Sequence, residues 1–124
     1  MASGPRSLRI LLVDDHEESL SAMARLLKLS GYQVHTATTV ADALDVASQQ
    51  ACDLLISDLG LPDRTGLDLM REMRARYPLK GIALTGYTEE RDVAESSAAG
   101  FAMHLKKPVD FNDLLTAIRD VASA

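Results

Sequence analysis

The chain has 124 residues, enough for one domain with a real core. Its apolar share of 47% and charged share of 25% are those of an ordinary globular protein, and a net charge of 13 − 18 = −5 argues against non-specific nucleic-acid binding. No apolar run approaches the roughly 18 residues a membrane span needs, and no signal-like leader opens the chain.

Residues 1–7 are small and polar around Gly4-Pro5 and read as a disordered lead-in or an appended remnant. The domain is expected to run from 8 to 124. Leu8 to Val13 is short and continuously apolar, the pattern of a buried parallel strand, and it ends on Asp14-Asp15. Leu20, Met23, Ala24 and Leu27 follow at helical spacing, with Gly31 as a stop. Gln33 to Ala37 predicts a second, more polar strand suited to a sheet edge. Thr39 with Asp42 predicts a capped helix through Ala43, Leu44 and Ala47.

Asp53 to Asp58 predicts the third strand. Pro62 and Gly66 punctuate a loop before a helix marked by Leu67, Met70 and Met73. Gly81 to Thr85 is the fourth strand. Thr88 to Ala99 is a weak helix whose inner face is assigned to Val93, Ala94, Ser97 and Ala98. Phe101 to Leu105 is the fifth strand, ending on Lys106-Lys107-Pro108, and Phe111, Leu114, Leu115 and Ile118 line a last helix. Five strand–helix repeats predict an α/β, flavodoxin-like, doubly wound parallel sheet of five strands, order 2-1-3-4-5, with five helices on both faces.

Acids at the ends of the first and third strands would share one sheet edge, where α/β folds build their sites. There they repel unless a cation joins them. A hard cation such as Mg²⁺ takes oxygen ligands. Asp58 is the best nucleophile, because a carboxylate can accept a phosphoryl group as an acyl phosphate. Lys107 supplies charge against phosphoryl oxygens, Thr85 a hydroxyl, and Gly86 leaves room for a phosphate. Alternation allows only one of Lys106 and Lys107 to face inward. Cys52 is the single cysteine, so no intramolecular disulfide forms; a packed residue in a reducing, cytoplasmic setting fits. His16 and His35 read as surface residues.

Asp14-Asp15, Asp58 with Pro62 and Gly66, Thr85-Gly86 and Lys107-Pro108, in that order, resemble the receiver domain of two-component response regulators over about residues 8 to 122. The segment from Ile56 to Asp63 and that from Gly81 to Tyr87 look most like receivers of hybrid sensor histidine kinases. The resemblance implies that Asp58 accepts phosphate from a phosphohistidine on a histidine kinase or a histidine phosphotransfer domain. It implies Mg²⁺ (or Mn²⁺) on Asp15, Asp58 and the Gly60 backbone carbonyl, with Asp14 holding a metal-bound water. Thr85 and Lys107 would bind the phosphoryl oxygens, and the Lys107–Pro108 bond would be cis. A free-standing enzyme with an external substrate is not expected: Asp58-Leu59-Gly60 lacks the second acid of aspartyl-phosphate phosphatases. Neither direct nucleic-acid contact nor membrane contact is expected of this segment, and it would be a monomer or weak dimer. The family's aromatic switch position, three residues before the lysine, holds His104 here, which leaves a phosphorylation-independent docking module as the alternative. Tyr87 would shield the acyl phosphate from water. The hybrid-kinase flavour and the lead-in suggest a piece of a larger kinase.

Overall fold

A computed structural model describes residues 8–86 and 90–123, with side chains of 90–93 left aside. The expected lead-in, the Tyr87 shield and the proposed helix start at Thr88 therefore lie outside the described residues. Strands and helices alternate without exception: β1 (Arg9–Val13), α1 (Glu17–Leu29), β2 (Gln33–Ala37), α2 (Val40–Gln49), β3 (Leu54–Asp58), α3 (Gly66–Arg76), β4 (Lys80–Thr85), α4 (Glu90–Ala99), β5 (Met103–Lys106) and α5 (Phe111–Ser123). The strands form one parallel sheet in the order β2-β1-β3-β4-β5, as the pattern predicts.

Alternation along each strand divides the core in two. Ile10 and Leu12 of β1 face α1 and α5, together with Val34, Leu54, Ile56, Ile82 and Leu84. Leu11 and Val13 face the other way, with Leu55 and Ala83, against α2, α3 and the end of α4. Both faces of β1 and β3 are thus covered, which is why these strands read as unbroken apolar runs. Each fully buried Leu or Ile contributes about 1.5–3 kcal/mol of apolar burial. The more polar β2 lies at an edge, as expected, and Thr39 Oγ1 accepts from Asp42 N at 3.0 Å to cap α2.

Four local expectations need correction. Among the α4 side chains described, 94–99, the inner ones are Ser96 and Ala99, whereas Ala94, Ser97 and Ala98 are exposed; the expectation for Val93 lies outside them. From Ala94 to Ala99 that helix carries only alanine and serine apart from Glu95, so its apolar period has little amplitude; its end decides its phase. Gly100, at φ +115, lets Phe101 N donate to Ser96 O, and Phe101 then enters the core beside Ala99. Phe101 precedes β5 rather than opening it. It packs on Gly81, where an added Cβ would lie 2.8 Å from its ring. Gly66 is the first residue of α3, not part of the loop: Thr65 caps the helix by accepting from Asp68 N, and Leu69 joins Met70 and Met73 in the core. His35 is half-buried, because its position in β2 shares the α2-side face with Ala37.

Gly66 also shows how tightly α3 abuts β3. A Cβ there would collide with the Asp58 carbonyl oxygen, which is backbone and cannot swing aside. Gly66→Ala should therefore lose about 1–3 kcal/mol in urea unfolding, although Gly to Ala within a helix ordinarily gains up to about 1 kcal/mol. Gly60→Ala meets open space and should stay within about 0.5 kcal/mol of wild type.

Candidate functional site

Register alone gathers the site. Val13 pairs with Ser57, so Asp14 and Asp58 follow neighbouring residues on adjacent strands. Asp58 pairs with Leu84, and Thr85 pairs with Lys106, so Thr85 and Lys107 come next along the same edge. Asp14 and Asp58 are 7% and 9% exposed, which is unusual for carboxylates, and Thr85 beside them is 5% exposed. Burial on this scale requires partners.

Lys107 is the partner that joins them. Its Nζ donates to Asp58 Oδ2 at 2.8 Å and to Asp14 Oδ2 at 3.1 Å. Its backbone N–H donates to Thr85 O at 2.7 Å, which anchors it to the end of β4. The Lys107–Pro108 bond is cis. Lys106 is exposed, so the choice between the two lysines falls as alternation requires. Asp58 is also held from its own loop: Gly60 N donates to Asp58 Oδ1 at 3.2 Å. The loop closes through a bridge between Gly60 and Thr65 and through Gly66 N donating to Leu59 O at 2.9 Å.

Asp15 points outward, with 38% of its side chain exposed, yet it stays in the group. One ligating atom each from Asp14, Asp15, His16 and Asp58 can be chosen so that all lie within 4.8 Å of one another. His16 is the member that the sequence pattern missed. Its side chain is 70% exposed, as a surface residue would be, but Nδ1 lies 3.2 Å from both Asp14 Oδ1 and Asp15 Oδ1. Its backbone N–H donates to Asp14 Oδ1 at 3.0 Å. The signal available was its place directly after the acid pair.

Burial pushes the Asp14 carboxyl up, but the His16 N–H and the Lys107 ammonium outweigh it and hold the group below its ordinary value. Burial pushes Lys107 down, and the Asp58 and Asp14 carboxylates outweigh that and raise it. Two like charges about 4 Å apart repel by about 4 kcal/mol at an effective dielectric of 20, so the single ammonium matters. Three carboxylates and one ammonium leave a formal charge of −2. The donors are mostly oxygens. That charge and that donor set fit a hard divalent cation.

His104 is half-buried on β5, paired with Ala83. Met103 and Leu105 pack towards α5, so His104 lies on the sheet face that α4 covers.

Residues 10–119 match the response regulator receiver domain family. The chain belongs to that family. It is 34% identical over 110 residues to the transcriptional regulatory protein KdpE of Mycobacterium tuberculosis, covering 89% of this chain and 49% of that regulator. It is 34% identical over 115 residues to the sensor protein EvgS of Escherichia coli, covering 90% of this chain and 9% of EvgS. A solved CheY-like receiver domain from Methanospirillum hungatei superposes with a TM-score of 0.85 at 32% identity, covering 92% of each chain. The receiver thus spans about half or less of these curated relatives, one a transcriptional regulator and one a sensor. No helix among the described residues is long and apolar enough to cross a membrane.

The Lys107 bridge makes a stability prediction. Lys107→Met should destabilise the domain by about 1–3 kcal/mol, because a buried carboxylate pair loses its counter-charge. Adding Asp14→Asn should restore part of the loss. The Asp14 value is lowered, so its contribution is complete above about pH 4 and is lost as pH falls through its folded value. The Lys107 value is raised, so its contribution is complete below about pH 10 and is lost as pH rises through its folded value. Urea unfolding of wild type and Lys107→Met should therefore differ by a constant amount from about pH 5 to pH 9 and converge at lower pH.

Proposed function

We propose that this receiver takes a phosphoryl group from a phosphohistidine onto Asp58, in a reaction that needs a divalent cation. The observation that carries this reading is the Lys107 ammonium seated between the Asp58 and Asp14 carboxylates on the C-terminal edge of the sheet. Asp14, Asp15, Asp58 and the Gly60 backbone are the groups that would hold Mg²⁺ or Mn²⁺. A bound divalent cation supplies positive charge against the phosphoryl oxygens.

An Asp58 carboxylate oxygen attacks phosphorus in line with the bond to the donor imidazole. The new O–P bond forms as the P–N bond breaks. The electron pair of that bond leaves on the imidazole nitrogen, which takes a proton from solvent. Little of this requires covalent help from other residues; the work is positioning and charge. Lys107 and Thr85 donate hydrogen bonds to the phosphoryl oxygens. The donor is a histidine kinase or a histidine phosphotransfer domain, and the domain acts on no external substrate.

The new charge at Asp58 would be read on the α4 and β5 side. Thr85 is buried at the end of β4, and His104 lies on the α4 face of β5; these positions support a reading in which Thr85 moves towards the phosphate and His104 responds. This gives the signal a route without a tyrosine or phenylalanine at the switch position. Receiver relatives occur in both regulators and sensors, and the proposal is confined to the step that the receiver itself performs.

Intact mass spectrometry tests the reading directly. With Mg²⁺ and a small phosphoramidate donor, the wild type should gain one phosphoryl group. Asp58→Asn should gain none, and chelation should abolish labelling in the wild type. Lys107→Met should slow labelling by about 100-fold, the scale of losing one positioned charge. Labelling that persists in Asp58→Asn would show the acceptor to be elsewhere.

A further inference from the structure

The start of α2 is capped from outside its own sequence. Thr39 serves only the third amide, that of Asp42. The first two belong to Asp63, which lies 22 and 23 positions further on: its Oδ1 accepts from Val40 N at 2.9 Å and its Oδ2 from Ala41 N at 3.0 Å. Both carboxylate oxygens are used on two successive N–H groups at the positive end of a helix dipole. Those two N–H groups hold the Asp63 carboxyl below its ordinary value, so the cap stays charged at neutral pH.

Asp63 sits in the tip of the loop that leaves β3 at Asp58. The neck of that loop is the Gly60–Thr65 bridge. The neck also carries the Gly60 N–H that holds Asp58 Oδ1. Beyond it the tip is straddled. Arg64 reaches Glu72 at 3.0 Å and Asp68 at 3.9 Å on α3, and Asp63 reaches α2. Gly66 is pressed against the Asp58 carbonyl on the return side. The loop is thus clamped between two helices, with Asp63 as its tie to α2.

We propose that Asp63 is a positioning residue for the cation site: by tying the loop tip to the N-terminus of α2, it keeps Gly60 beside Asp58. The proposal rests on the reading of Asp58 and Gly60 as cation-binding groups. Asp63 touches neither the cation nor the phosphoryl group. It acts through the backbone of its loop, as outer partners of a metal site do. A purely structural cap would instead alter the stability of α2 and nothing else.

Thr39 provides the comparison, because its hydroxyl caps the same helix end through the Asp42 amide of its own helix. Mg²⁺ affinity is measured by calorimetric titration of wild type, Asp63→Ala, Asp63→Asn and Thr39→Ala, together with urea unfolding and with labelling rate as a function of Mg²⁺. Asp63→Ala should weaken Mg²⁺ binding roughly tenfold. Its labelling rate at saturating Mg²⁺ should return close to wild type. Asp63→Asn, which retains one acceptor oxygen, should fall between. Thr39→Ala should lower stability and leave Mg²⁺ affinity unchanged. Equal Mg²⁺ affinity in wild type and Asp63→Ala would overturn the proposal, as would a loss that Thr39→Ala reproduces. If the wild type binds no Mg²⁺, the underlying reading of the site fails and the proposal with it.

Discussion

Two carboxylates brought to one sheet edge by strand register repel one another unless a cation lies between them. Lys107 meets that constraint, at 2.8 Å from Asp58 and 3.1 Å from Asp14. Much else at the site follows from it. The lysine must come from a strand on the far side of β4, so β5 must end where it does. Its backbone N–H is held by the Thr85 carbonyl, so Thr85 and Lys107 share the same edge. One ammonium does not balance three acids, and the remaining formal charge of −2 suits a divalent ion.

The fold supplies this edge cheaply because a parallel sheet covered on both faces leaves its strand ends as the place where backbone and charged side chains meet solvent. Apolar runs on β1 and β3 hold the strands in register, and a slip of one residue would send Asp14 and Asp58 to the wrong faces. Core packing and chemistry are therefore one problem here. Gly66 makes the point locally: a side chain there would run into the carbonyl of Asp58 itself.

The loop after β3 is more constrained than a surface connection need be. It is closed at its neck, pressed by Gly66 and tied through Asp63 and Arg64 to helices on either side. The opposite edge of the site is looser in composition. Between Ala94 and Ala99 only Ser96 and Ala99 of α4 are buried, and β5 is only partly covered. The loop after β3 is thus held at several points, whereas the described part of α4 offers few buried side chains, a contrast in local anchoring across the site.

The sequence by itself determined the strand–helix alternation, the sheet order and the gathering of Asp14, Asp58, Thr85 and Lys107 at one sheet edge, because strong apolar runs end abruptly at those residues and because alternation favours one lysine of two. It read the Thr39 cap from residues three apart. The face of α4, the place of Phe101 and the start of α3 were decided only by tertiary packing. In those stretches the side chains are small, or a glycine permits a close approach, and local pattern carries little energy. His16 and Asp63 were legible only in three dimensions for a different reason. Each acts through partners that the chain's path brings near: His16 through acids oriented by the β1–α1 turn, Asp63 through amides more than 20 residues away.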